Sequence, residues 1–415
     1  MQNKGYSVYL HLGPIPNDWH VVNAQDICTK ITDGTHDTPS PTKHGVPYIK
    51  SVHIKKGTIR FDDCLFLCQE DHDIIFKRCN PAKGDLLIVN IGIGNIGHCA
   101  YVDVDFEFSM KNIALLKPDP KLINDRYLYH YYKSRQQKVT HSTKTGGAQP
   151  FLSLRDLKKL KIVVPPILEQ CKISQILSTW DKAISTTESL IANSQQQKKS
   201  LTQQLLTGKK RFTEFGDEWS LVRLGSLLIE GKERNKSNTI SRVLSVTNHS
   251  GFVLPEEQFS KRVASKNVTN YKVVRKGQFG YNPSRINVGS FARLDFYDVG
   301  LLSPMYVIFS VNESQLNSDY FMNWMSSNEA KQRILGSTQG SVRDSVGFDA
   351  LSSFPFKLPS FPEQQKIASV LTAADQEIDT LQQKLSHLKQ EKKALMQQLL
   401  TGKRRVIVDN EMEAA

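Results

Sequence analysis

One helical sequence pattern occurs twice in this chain, and that recurrence limits the folds open to it. The stretch from Pro165 reads PPILEQCKISQILSTWDKAI and ends LTQQLLTGKKR. The stretch from Pro359 reads PSFPEQQKIASVLTAADQEI and ends LMQQLLTGKRR. Glu169-Gln170 returns as Glu363-Gln364, and Thr207-Gly208-Lys209 as Thr401-Gly402-Lys403, each 194 positions later with no gap between them. The same offset joins Ser51-Val52 to Ser245-Val246, Ser109 to Ser303 and Leu157 to Leu351. Trp19 and Trp219 lie 200 apart instead, so the first half carries extra residues before Ser51. They fall in TDGTHDTPSP, a run of turn formers that reads as a longer loop. Self-similarity on this scale means a duplicated unit, here in the order domain, helix, domain, helix.

The helices carry a seam. In the first it runs Ile173, Leu177, Trp180, Ile184, Thr187, Ile191, Ser194, Lys198, Leu201, Leu205. In the second it runs Ile367, Leu371, Ala374, Ile378, Leu381, Leu385, Leu388, Lys392, Leu395, Leu399. Steps of four and three alternate, which is the coiled-coil period. Thr187, Ser194 and Lys198 weaken the first seam, so pairing with the second is the economical arrangement. The competing arrangement packs each helix only on its own domain. Ile184, Ile191, Leu201, Leu205, Ile378, Leu385, Leu395 and Leu399 are the candidate residues for the helix seam and for docking partners. Ser178-Thr-Trp-Asp181 and Thr372-Ala-Ala-Asp375 fit capping boxes. They predict a short helix before each box and a long one, about 26 residues or roughly 40 Å, after it. Gly208 and Gly402, followed by basic residues, suit the helix ends. Crossing a whole domain between two antiparallel helices puts the domains at opposite ends. That separation is roughly one turn of duplex DNA.

Each domain reads as α+β, strands first and helices late. Residues 1–164 contain GVPYIKSV, GDLLIVNIG, CAYVDVDFEF and NIALLKP, then the helix DRYLYHYYKSRQQKV. The second domain repeats the order with VLSVTNHSG, VGSFARLDFYDV and MYVIFSV, then the helix SDYFMNWMSSNEAKQRI. The fold class is therefore α+β: two similar α+β domains separated by two long antiparallel helices in a coiled coil, with pseudo-twofold repetition. The predicted divisions are 1–164, a helical spacer 165–211, a second domain 212–358, a helical spacer 359–406 and a tail 407–415.

After the late helix, each domain has a glycine-rich polar loop. In the first it holds Ser142, Lys144, Gly146, Gly147 and Gln149. In the second it holds Ser337, Gln339, Gly340, Ser341 and Arg343. Glycines allow close backbone approach, and hydroxyl, amide and basic groups suit phosphates and base edges. The plain alternative is a flexible surface turn. Weaker candidates for nucleic-acid contact are Thr32, Gly34, Thr35 and His36 in the first domain, and Lys232 and Arg234 in the second.

Charge points the same way. A net charge of +13 and a pI near 9.3 favour polyanions, nucleic acid before membrane or acidic protein. No apolar run reaches the roughly 18 residues of a membrane span, and Met1 to Pro16 lacks signal-peptide character. A cytoplasmic location is expected, with the six cysteines as thiols. Cys64 and Cys68 have no partner pair at zinc spacing.

Catalytic motifs fail on context. Gly92-Ile-Gly94-Asn-Ile-Gly97 precedes a strand-like run where a dinucleotide site needs a helix, so it reads as a turn between strands. Tyr281-Asn282-Pro283-Ser284 lacks the second proline and the aromatic of an amino-methyltransferase motif. Glu230-Gly-Lys232 has no convincing nuclease Pro-Asp before it. A methyltransferase or nuclease with degenerate motifs, and a basic coiled-coil scaffold, stay open as alternatives.

Two PxxEQxxI helical regions ending QLLTGKxR, each after a variable domain, resemble the specificity subunits of type I restriction-modification systems. The resemblance covers nearly the whole chain. It implies two target recognition domains, each reading half of a bipartite asymmetric site on double-stranded DNA, and helices that fix the spacer. It further implies docking of two methyltransferase subunits and joining of restriction-translocase subunits. S-adenosylmethionine, ATP and magnesium would sit on those partners, with no cofactor, metal or catalytic residue in this chain. The second domain lacks the Gly-Thr-His loop of the first, so the two half-sites should differ.

Overall fold

The computed structural model describes residues 6–9, 12–92, 94–142, 151–255, 267–338 and 345–408. The chain divides into two compact units, Met1–Glu188 with Gln383–Ala415, and Ser189–Gln382. Each unit holds one domain, the start of the long helix that follows it, and the end of the other long helix.

Both domains are built on the same four-stranded antiparallel sheet. In the first the order is Cys28–Asp33, Ile113–Pro118, Leu86–Val89, Cys99–Tyr101. In the second it is Leu228–Glu230, Val307–Val311, Phe279–Tyr281, Phe291–Arg293. The runs LLIV and IALL are buried at every position, as strands covered on both faces must be. A two-stranded ribbon closes each domain: His20–Asn23 with Lys161–Val164, and Ser220–Arg223 with Pro355–Leu358. It delivers the chain directly into each long helix. The late helix of the first domain is unbroken, Asp125–Ser142. Its counterpart, predicted as one helix, is two, Ser318–Met325 and Asn328–Thr338. The break falls at Ser326-Ser327, where the Ser327 hydroxyl accepts from the Ala330 amide and starts a new helix.

The capping-box expectation is overturned. The long helices run unbroken, Ile167–Leu206 and Phe361–Leu399, 40 and 39 residues. Each spans about 60 Å at 1.5 Å per residue, not about 40 Å. The box residues serve other partners. Asp181 pairs with Lys392 and Asp375 with Lys198, and Ser178 Oγ lies 3.2 Å from His130 Nε2. Mid-helix amides need no cap, so the carboxylates are free to bond across the helix pair. The helix ends follow expectation. Gly208 and Gly402 both take φ +70°, and the amides of Lys210 and Arg404 reach back to Gln204 and Gln398.

Within each unit the helix segments run antiparallel. In the first, Glu169 meets Arg405 and Glu188 meets Lys389, while in the second Lys198 meets Asp375 and Arg211 meets Glu363. Ile173, Leu177, Leu399 and Leu400 join one core with Trp19, Tyr127 and Leu128. Leu205, Leu206, Ile367 and Leu371 join another with Leu224, Tyr320 and Trp324. Helix pairing and packing on the domain are therefore one and the same core. Of the named seam residues, Ile191, Leu205, Ile378 and Leu399 are buried, and Ile184, Leu201, Leu385 and Leu395 half-buried.

One polar arrangement appears in both units. Glu169 is 3% exposed, receives the Trp19 indole N–H at 3.0 Å and takes two bonds from Arg405 at 2.7 and 2.8 Å. Glu363, fully buried, receives Trp219 at 2.9 Å and Arg211 at 2.9 and 2.8 Å. The adjacent glutamines act alike. Gln170 accepts from the Asn124 amide and donates to Pro165 and Leu122, and Gln364 accepts from Asn317 and donates to Pro359 and Gln315.

Two outcomes are expected. Arg405→Ala leaves the Glu169 carboxylate with only the indole, and should cost the first unit about 1–3 kcal/mol in urea unfolding. The low end applies because Arg405 is 41% exposed and water can reach the gap. The double variant Glu169→Gln/Arg405→Ala should recover part of that loss. His130 supplies the second test. Burial first, then Lys392, holds its pKa down at about 3. The unfolded chain binds a proton below about pH 6.5 that the folded unit refuses, so stability should fall as pH drops through that range. The slope approaches about 1.4 kcal/mol per pH unit, and His130→Asn should flatten it.

Candidate nucleic-acid interface

Strand register aligns the two candidate loops. Ile31 pairs with Leu116 and Ile229 with Ser310, and the 194-residue offset carries Leu116 onto Ser310. Thr32 therefore corresponds to Glu230, Gly34 to Lys232 and His36 to Arg234. Both loops leave the edge strand of the main sheet at the same point.

In the first domain, Thr32 is half-buried in the strand opposite Leu115. Gly34 is required by packing, because a Cβ there would lie 2.0 Å from the Met110 carbonyl oxygen. Thr35 is buried, and its hydroxyl accepts from the Asp37 amide at 3.0 Å. Only His36 projects outward. Its Nε2 lies 3.0 Å from Asp33 Oδ2 and its Nδ1 3.2 Å from Asn112 Oδ1, so both ring nitrogens are engaged. Buried Asp33 also holds the half-exposed Arg78 guanidinium. Arg78 and Asn112 escaped the sequence reading because they stand 42 and 76 residues from His36 and carry no motif. Arg78 is the exposed cation of this edge, held on a buried carboxylate anchor with His36 and Asn112 beside it.

The second domain presents different chemistry at the same place. Lys232 is well exposed and pairs at 2.9 Å with Glu230. Arg234 donates to the Asn270 carbonyl at 2.7 Å. Between them Glu233 takes two bonds from Arg275, at 2.7 and 3.2 Å. These exposed pairs add little to stability, which leaves their cations available to a stronger anion.

Lys144, Gly146 and Gln149, and Gln339 and Arg343, lie outside the described residues. Ser142 ends the helix Asp125–Ser142, and Ser337 stands in the last turn of Asn328–Thr338, its hydroxyl on the Ile334 carbonyl at 2.8 Å. On the far side the Leu152 amide bonds to Asn90 and the Val346 amide to Pro283. Each loop thus springs from a helix end and returns beside the central strand.

The rejected motifs have structural roles. The Gly92–Gly97 run joins the strands Leu86–Val89 and Cys99–Tyr101, with Gly94 at φ +83° and Gly97 at φ +78°. Asn282 Oδ1 accepts from the Ser284 amide within its own turn. Cys64 and Cys68 are thiols, and no group of three or more His, Cys, Asp or Glu among the described residues could hold a metal. No helix among them is long and apolar enough to cross a membrane.

Relatives carry the same architecture. A family model described as the type I restriction modification DNA specificity domain matches residues 16–193 and 284–390. The type I restriction enzyme MjaVIII specificity subunit of Methanocaldococcus jannaschii is 24% identical over 427 residues, covering 94% of each chain. The EcoKI specificity subunit of Escherichia coli K12 is 25% identical over 198 residues, 45% of this chain and 41% of that one. The crystal structure of a type I restriction-modification S subunit from M. genitalium superposes with a TM-score of 0.61 at 16% identity, covering 96% and 97% of the two chains. That likeness shows a shared fold. The family match spans well over half of the sequence, and the chain belongs to the type I restriction-modification DNA specificity family.

Proposed function

We propose that each domain reads one half of a bipartite, asymmetric site on double-stranded DNA, and that the paired helices set the unread gap. The observation that carries this reading is the contrast between sameness and difference. The sheets, ribbons, helix ends and Trp-Glu-Arg contacts repeat between units, while the exposed loop residues at matching register do not. Exposed His36 stands against exposed Arg234, and at the strand ends half-buried Thr32 stands against half-buried Glu230. Equivalent scaffolds with different reading edges suit two unlike half-sites. Thr32, Gly34, Thr35, His36, Ser142, Lys144, Gly146 and Gln149 are the proposed contact set of residues 1–164. Lys232, Arg234, Ser337, Gln339 and Arg343 are that of residues 212–358. Gly34 and Thr35 act by shaping the turn. The spacers 165–211 and 359–406, with their half-exposed seam positions, are proposed to dock two methyltransferase subunits. Restriction-translocase subunits complete the complex. The S-adenosylmethionine, ATP and magnesium that methylation and restriction consume belong to those partners, and the cytoplasm is where this assembly meets DNA. The role is recognition rather than catalysis, which neither a degenerate enzyme nor a plain scaffold matches.

Co-expression with the cognate methyltransferase subunit and mapping of methylated adenines tests the reading directly. A single two-part motif with a fixed gap is expected; methylation without such a motif would refute the proposal. Removing one heptad from each long helix at matching positions takes out about 10.5 Å. The mapped gap should shorten by about three base pairs, both half-sites staying as they were. An unchanged gap with an altered half-site would sink the ruler. Arg234→Ala should relax one half-site only, lowering affinity by about ten- to a hundredfold where the arginine reads a base. A uniform loss across all sequences would instead assign Arg234 to phosphate.

A further inference from the structure

A cleft of about 660 Å³ lies within the first unit, between the late helix of the domain and the helix pair. Clefts of about 300–1,000 Å³ take small molecules. Its rim is cationic. Lys133, Arg135 and Lys138 come from the helix Asp125–Ser142, and Lys56 comes from the turn facing it. Lys389, Lys392 and Lys393 come from the second long helix. Among the described residues lining the cleft the acids are Asp181 and Glu188, and they are already paired with Lys392 and Lys389. Lys56 and Lys393 are exposed and form no ion pair among the described residues. The floor is apolar, made by Leu12, Ile184, Met396 and Leu400.

The repeat shows that this charge is not a by-product of the scaffold. The helix-capping asparagines Asn124 and Asn317 fix the register of the late helices. Counted along the sequence from these caps, Lys133 and Arg135 fall at Ser326 and Asn328, where the second unit's helix breaks. Lys56 and Lys389 correspond to Ser250 and Gln195 through the 194-residue offset. Four of the seven cations are therefore neutral in the second unit, while Lys138, Lys392 and Lys393 keep lysine counterparts in Lys331, Lys198 and Lys199. A partner present in two copies would use both units alike. Duplex phosphates, which run past every reader whatever its sequence, would also meet both. A cationic cleft over an apolar floor, present once, fits a ligand needed once.

We propose that this cleft binds a nucleoside polyphosphate, its base on the Leu12, Ile184 and Met396 floor and its phosphates on the lysine rim. A confined surface of one charge sign concentrates a small anion of that kind. The test is titration of the full chain at low salt with ATP, inorganic tripolyphosphate and adenosine as separate probes. ATP should bind saturably and more tightly than either fragment. Lys56→Ala/Lys393→Ala, two exposed rim positions, should weaken ATP at least about tenfold while the thermal midpoint stays unchanged. Lys199→Ala/Lys331→Ala in the second unit should leave ATP binding intact. The proposal is overturned by absence of saturation at about 1 mM ATP, or by tripolyphosphate binding as well as ATP. It also fails if duplex DNA displaces ATP and the rim variant loses DNA affinity in parallel, which would make the cleft part of the DNA track.

Discussion

A buried carboxylate at the start of each long helix organises the rest of the molecule. Glu169 and Glu363 are withdrawn from water and must be fully bonded to remain charged there. Each finds an indole N–H from its own domain and a guanidinium from just beyond the end of the other long helix. Domain, helix start and helix end are thereby tied at one point. The fork of arginine fits a carboxylate in a narrow set of poses, so the contact fixes position as well as charge. From that point outward the antiparallel pairing follows, then the shared core of Ile173, Leu177, Leu399 and Leu400.

The seam between the helices is a compromise of stability and specificity. Lys198 with Asp375, and Lys392 with Asp181, replace apolar contacts at matching places in the two units. Lys392 is nearly buried, and burial pulls its pKa down while Asp181 holds it up. An apolar seam with period 3.5 tolerates slippage by a heptad. The Lys198 pair does not, because a heptad slip would set Lys198 against Ala368 or Gln382 in place of Asp375.

Much of this was legible in the sequence, and the misses share a cause. Periodic and local signals read well. The four-three steps, the central strands LLIV and IALL, and the glycine helix ends all depend on neighbours a few residues away. The Glu-Arg contacts join residues 236 and 152 apart. Their only trace was the presence of both motifs at the same offset, which marked them as related without saying that the end of one copy meets the start of the other. The capping boxes misled because serine and aspartate suit a helix start and an interhelix pair equally. At the Gly-Thr-His turn, Gly34 and His36 were visible as residue types. Their roles come from Met110, Asn112 and Asp33, which the strand pairing brings beside the turn.

The sharing of helix ends has a consequence for the order in which the molecule can form. Leu399, Leu400 and Arg405 complete the core that begins with Trp19. A ribosome must therefore translate the entire second unit before the first can close. Until then the nascent domain leaves Ile173 and Leu177 uncovered on the side that Leu399 and Leu400 will take, and Glu169 with only the Trp19 indole, as surface a chaperone would recognise. The second unit, by contrast, holds all its parts within one continuous stretch, Ser189–Gln382. The half synthesised first is the half that finishes last.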